Sequence, residues 1–111
     1  MFKKEDLLIA KQKALLVSKI HIYDDKFIDY ELNEKCFTGP YKLLARAINK
    51  VQEKYGFIDE TYLVDFLIEH NSFNSQIEKV FLELLITTGL PFTIAMQYEK
   101  DLIENLIRKD I

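Results

Sequence analysis

Residues that break regular structure are rare in this chain. Only three glycines and two prolines occur among its 111 residues, and apolar residues recur between them at the three- and four-residue spacing of amphipathic helices. A many-stranded sheet would need turn residues about every 8 to 12 positions. The sequence therefore predicts an all-α fold, a compact bundle of about six helices, with residues 1–111 forming one domain.

Helix boundaries follow from these breakers and from capping residues. Thr38–Pro40 places a proline in the first turn of a helix, where its missing N–H costs nothing, and Gly56 ends that helix. Asp59 is a predicted cap of the next helix, and Ser75 with Glu78 forms a predicted capping box. Further predicted helices cover about residues 5–19, a short segment after residue 24, and about residues 93–111.

The last two predicted helices are joined only by residues 88–92. So short a connection predicts an antiparallel hairpin over about residues 75–111, set on a globular part of about residues 1–70. Leu90 and Phe92 lie at its tip, and Phe73 lies in the preceding connection. Large apolar residues in connections either form an interface or fold back onto the core, and the sequence leaves both open. Residues of about 76–107 are predicted to carry self-association, with Leu90, Phe92 and Tyr98 central, and Phe73 is a further candidate for partner binding.

A second predicted partner-binding surface is a basic stripe along one helix. Its residues recur at every fourth position: Lys42, Arg46, Lys50 and Lys54. Such a stripe is typical of a solvated face, of a contact with an acidic protein, or of a contact with DNA. The net charge of −3 provides no overall basic field, so direct nucleic-acid binding is not expected.

Catalytic and metal-binding patterns are absent from the sequence. Neither a phosphate-binding loop nor a dinucleotide-binding fingerprint occurs. One cysteine and two separated histidines cannot supply the four ligands of a structural zinc site. The acidic pair Asp24–Asp25 precedes a helix start, where carboxylates satisfy free N–H groups. We therefore expect a protein that is not an enzyme, with no catalytic residue, cofactor or metal.

The cellular setting follows from cysteine usage and hydropathy. Cys36 is the one cysteine, so no internal disulfide can form, and a reducing, cytoplasmic location is predicted. No apolar run approaches the roughly 18 residues of a membrane span, and we expect no membrane partner.

Several stretches have the spacing of a known family. Ala10–Ile20 stands where that family has a helix with Glu-x-x-Val-Leu-Gly, and Leu32–Phe37 is similar to its Leu-x-Pro-x-Asp-Phe. Gly56–Asp59 is similar to Gly-x-Pro-Ile-Asp. In these stretches the chain resembles the N-terminal helical domain of DnaB-type replicative DNA helicases. It also resembles the related helicase-binding domain at the C-terminus of DnaG-type primases. Cys36 and Ser18 depart from the family pattern, which has aspartate and glycine there.

The resemblance implies a non-catalytic interaction domain of the bacterial DNA replication machinery. In DnaB-type helicases this domain forms a collar of paired domains above the ATPase ring, associates through its terminal hairpin and receives the primase. The implied partners are the replicative helicase or primase, with homo-oligomerisation through the hairpin. Four alternatives remain: the helicase-binding domain of a primase, a small phage or plasmid regulator that binds a replication protein, a DNA-binding helical protein, and an enzyme with a buried, unrecognised site.

Overall fold

The structure, a computed structural model, describes residues 3–85 and 87–109. In these residues it has five α-helices: α1 (Lys4–Ile20), α2 (Gly39–Tyr55), α3 (Glu60–Glu69), α4 (Ser75–Leu85) and α5 (Phe92–Lys109). Two short 3-10 turns, Asp25–Phe27 and Glu34–Cys36, lie between α1 and α2. The all-α class is confirmed. The number of helices is five in the described part instead of about six, because the segment after Asp24 forms only a three-residue 3-10 turn.

The predicted helix ends around α2 and α3 are confirmed by their geometry. Gly56 adopts the left-handed conformation with φ of 79°, which a glycine reaches without steric cost, and its N–H donates to the carbonyl of Gln52. The carboxylate of Asp59 accepts the N–H of Tyr62 at 3.2 Å. The prediction that Ser75 caps α4 is wrong. The capping residue is Asn74, one position earlier, whose side-chain oxygen accepts the N–H of Ile77 at 3.0 Å.

The pairing of the last helix differs from the predicted hairpin. In the described residues α5 packs most extensively along α1, whereas α4 packs against α2 and α1. At one end the N–H of Leu90 donates to Ser18 Oγ at 3.0 Å, and further along Lys11 Nζ lies 3.0 Å from an Asp101 oxygen. As the residue number rises along α5 it falls along α1, so the two helices are antiparallel. The predicted hairpin extended to residues 110 and 111, which lie outside the described residues.

A short connection limits how far apart two helices can lie, but the apolar faces decide which helices pack. Ala95 and Leu102 of α5 are buried in the same core as Leu16 of α1 and Leu44 of α2. Segments on both sides of residue 70 thus contribute to one core. The terminal segment is part of the globular packing and does not stand beside it as a separate hairpin.

Candidate partner-binding surface

Phe92 packs inward. The centroid of its ring lies 5.0 Å from that of Phe27 and 5.8 Å from that of Tyr30, both in edge-on arrangements that aromatic rings favour. The N–H of Phe92 donates to Asp24 Oδ2 at 2.9 Å. This bond and a second one from the N–H of Lys26 lower the pKa of the Asp24 carboxyl. Of the two interpretations that the sequence left open for Phe92, the structure has the one in which it folds back.

The other apolar residues predicted for partner binding, Leu90, Phe73 and Tyr98, are also partly buried. Leu90 and Phe73 pack against the core. Tyr98 lies on α5 with Lys11 Nζ 5.9 Å from the centroid of its ring. These side chains therefore contribute to packing within one chain, and they do not form a fully exposed apolar tip.

The four residues of the predicted basic stripe are all exposed on α2. Carboxylates lie beside two of them: Arg46 Nε is 3.0 Å from a Glu34 oxygen, and Lys50 Nζ is 3.5 Å from a Glu53 oxygen. These carboxylates weaken the positive field that a phosphate backbone would need. Lys42 lies nearer the start of the helix.

A cleft of about 440 Å³ lies between α2 and α3, and Lys50 and Lys54 belong to its walls. We call it the α2–α3 cleft and define it by Lys50, Lys54, Tyr55, Tyr62, Asp65 and Glu69. Residues 56–59 connect the two helices, so the end of α2 and the start of α3 come close together. Because the cleft reaches from Tyr55 and Tyr62 at this connection to Lys50 and Glu69, the helices run antiparallel along it.

Aromatic rings cluster at the end of the cleft nearest the connection. Tyr55 and Tyr62 stack with their centroids 4.2 Å apart and an angle of 19° between their planes. The ring of Phe57 lies 6.2 Å from Tyr55 and 5.9 Å from Tyr62. Tyr55 is 40% exposed and Phe57 54% exposed, so this cluster presents apolar surface to solvent. Contiguous exposed aromatic surface of this kind is typical of protein interfaces.

The far end of the cleft holds a second stacked pair. The rings of Phe66 and His70 are 4.0 Å apart at an angle of 23°, and His70 Nδ1 lies 2.9 Å from the carbonyl oxygen of Phe66. Val51 is buried beneath the cleft. Apolar and aromatic groups therefore form part of the cleft lining along its whole length.

The two edges of the cleft carry opposite net charges, because the α2 edge holds two lysines and Glu53 and the α3 edge holds two carboxylates. Lys50 and Lys54 are one helical turn apart on α2, and Asp65 and Glu69 are one turn apart on α3. In the described part of the chain no ion pair crosses the cleft. The Lys54 ammonium lies 5.2 Å from the centroid of the Tyr55 ring. Both edges therefore keep charge available to a partner.

Sequence reasoning identified Lys50 and Lys54 but missed the aromatic cluster. The helical spacing of Tyr55, Tyr62 and Phe66 predicted apolar faces turned toward the core. A usable signal was the concentration of aromatic residues on both sides of Gly56, where a turn brings two helix ends together.

Groups with reactive chemistry are scarce in the described residues. Cys36 is buried, and burial raises the pKa of its thiol, which keeps it protonated. The described residues contain no group of three or more histidine, cysteine or carboxylate side chains placed to hold a metal. None of the described helices is long and apolar enough to cross a membrane.

Lys19 is a buried residue that joins two segments of the fold through hydrogen bonds. It is 1% exposed, and its ammonium donates to the carbonyl oxygens of Phe27 and Ile28. Burial lowers its pKa to about 8, against the opposing effect of Asp29. The side chain thereby attaches the first 3-10 turn to α1.

In the residues that the structure describes, the fold is helical, and the α2–α3 cleft combines aromatic rings with charged edges. No family model, curated protein or solved structure matches the chain.

Proposed function

We propose that this chain is a non-catalytic protein–protein interaction domain of the bacterial DNA replication machinery, and that the α2–α3 cleft is its assembly surface. The exposed aromatic cluster of Tyr55, Phe57 and Tyr62 carries the proposal. Binding energy at protein interfaces concentrates in a few buried aromatic and arginine anchors. Exposed aromatic side chains beside a cleft are suited to become such anchors.

The replication setting comes from the sequence resemblance to the DnaB-type helicase domain and the DnaG-type primase domain. The proposed partners are the replicative helicase and the primase encoded by the same genome. Within this setting we favour a helicase collar domain that self-associates and contacts primase. Association through a hairpin of the last two helices has little support, because α5 packs along α1.

The charges around the cleft favour a protein partner over a nucleic acid. Asp65 and Glu69 line one edge, and Glu53 lies beside Lys50 on the other. Carboxylates repel a phosphate backbone, whereas protein partners commonly present both signs of charge.

The proposal is tested by measuring the binding of the purified chain to the primase and the helicase of the same genome. We expect one of them to bind, and the Phe57→Ala variant to bind about 10-fold or more weakly, since truncating an interface anchor costs roughly 2 kcal/mol. Tyr23→Ala is the matched control, because Tyr23 is an aromatic residue that is 72% exposed outside the cleft. No binding of either protein, or equal losses in both variants, would contradict the proposal.

A further inference from the structure

We propose that the α2–α3 cleft pairs with the same cleft of a second copy of this chain in a two-fold symmetric dimer. The inference rests on the proposed function in one respect, namely that the cleft is an assembly surface. A two-fold interface brings one patch against itself, so the patch must be complementary to its own rotated image. The α2–α3 cleft meets this requirement in its charges and in the directions of its helices.

The charge argument begins with the two edges. Lys50 and Lys54 stand on the α2 edge, and Asp65 and Glu69 stand on the α3 edge. A two-fold axis that lies in the interface and runs along the cleft exchanges the two edges. The lysine edge of each copy then faces the carboxylate edge of the other, and this favourable pairing occurs twice.

An axis that runs across the cleft would give the opposite result. It would place lysines against lysines and carboxylates against carboxylates, which is unfavourable at close range. The charges therefore select one of the two ways in which the clefts can face each other. Lys50 also has Glu53 within 3.5 Å on its own helix, so Lys54 is the stronger contributor on its edge.

The second argument comes from the directions of the helices. The helices α2 and α3 form an antiparallel pair with a cleft between them. Two such pairs placed face to face form a four-helix bundle. With the axis along the cleft, α2 of each copy lies against α3 of the other and runs antiparallel to it. Neighbouring helices are then antiparallel throughout, as in up-and-down bundles.

The aromatic residues supply the apolar centre of this arrangement. Tyr55 and Tyr62 lie inside the cleft, and Phe57 is exposed at its end. The axis along the cleft keeps both connections at the same end, so the aromatic clusters of the two copies meet. Pairing removes this exposed aromatic surface from water.

The experiment uses two charge-reversed variants of the full chain. One is Lys50→Glu with Lys54→Glu, and the other is Asp65→Lys with Glu69→Lys. All four side chains are exposed, so the variants should keep the fold, which helical circular dichroism checks. Lys35→Glu with Lys79→Glu is the control, since it reverses two exposed charges outside the cleft and outside the basic stripe of α2.

The readout is the mass in solution by sedimentation equilibrium. The wild type and the control should dimerise, and each reversed variant alone should sediment at the monomer mass of 13.1 kDa. An equimolar mixture of the two reversed variants should restore the dimer, because a cleft with two acidic edges then faces one in which lysines predominate on both edges, with Glu53 the one remaining carboxylate on its α2 edge. The variant that carries all four substitutions should also dimerise, since its edges are exchanged but still opposite.

Three results would overturn the inference. A monomeric wild type at concentrations of a few hundred micromolar would do so, as would reversed variants that dimerise like the wild type. A mixture that stays monomeric would exclude the two-fold pairing. These measurements use the chain alone, so such results leave the binding of primase or helicase intact. Conversely, a dimer without binding of either protein would overturn the proposed function only.

Discussion

The α1–α5 pair and the α2–α3 pair are both antiparallel helices, but they differ in how they use their charges and aromatic rings. Between α1 and α5, Lys11 meets Asp101 at 3.0 Å, and Phe92 turns inward onto Phe27. Between α2 and α3 the opposite charges face each other across an open cleft, and Phe57 faces solvent. The first region thus pairs Lys11, Asp101 and Phe92 with groups of the same chain. The second leaves its charges and its exposed ring available to another chain.

The largest difference should appear when one phenylalanine is truncated in each region. Phe27 is fully buried against Tyr30 and Phe92, so Phe27→Ala should lower the free energy of unfolding by about 3–5 kcal/mol. Phe57→Ala should cost less than about 1 kcal/mol, because its ring is already more than half exposed. Urea unfolding of both variants, done at a concentration where the chain is monomeric, measures the difference. Equal losses would remove the distinction between the two regions.

An intermediate effect on the free energy of unfolding is expected from Lys19, whose ammonium donates to the carbonyl oxygens of Phe27 and Ile28. Its pKa is about 8 in the folded chain and 10.5 for an unperturbed lysine. Between these values the unfolded chain binds the proton more tightly, so the free energy of unfolding should rise with pH from about 8 to 10.5, by an amount on the order of 2 kcal/mol. The wild type should show this rise relative to Lys19→Met. Parallel pH profiles of the two proteins would contradict the assignment.

The smallest expected effect is the coupling free energy between oppositely charged side chains in the two regions. A double-mutant cycle with Lys11→Met and Asp101→Asn should give a coupling of about 0.5 kcal/mol, since this pair is partly exposed. The same cycle with Lys54→Met and Asp65→Asn should give no coupling in the monomer, because no ion pair joins them across the cleft in the described structure. Thermal unfolding at low concentration measures both cycles. A coupling across the cleft equal to that of Lys11 and Asp101 would mean that the cleft is closed by its own charges.

Local chemistry allowed the sequence to predict the helices well. Gly56 and Asp59 act through their own backbone and the next turn, so their effects can be inferred without knowing the fold. The partner of α5 could not be inferred in this way, because loop length does not decide which helix covers Ala95 and Leu102. Tertiary bonds such as that from Leu90 to Ser18 join residues 72 positions apart.

The cleft was harder to predict for a related reason. Helical periodicity gives the face on which Tyr55 and Tyr62 lie, but not where the buried core ends along that face. These residues stand at the last turn of α2 and the first turn of α3, and Tyr55 is 40% exposed there. The role of Asp65 and Glu69 as one edge of the cleft can be inferred only once α3 is known to lie opposite Lys50 and Lys54.

Zero-length cross-linking of lysine to carboxylate in a mixture of isotopically light and heavy chains tests the central claim most directly. The α2–α3 assembly predicts cross-links between a light and a heavy chain that join Lys54 or Lys50 to Asp65 or Glu69. Cross-links between chains that occur only outside the cleft, or none at a concentration where the chain is dimeric, would contradict the account.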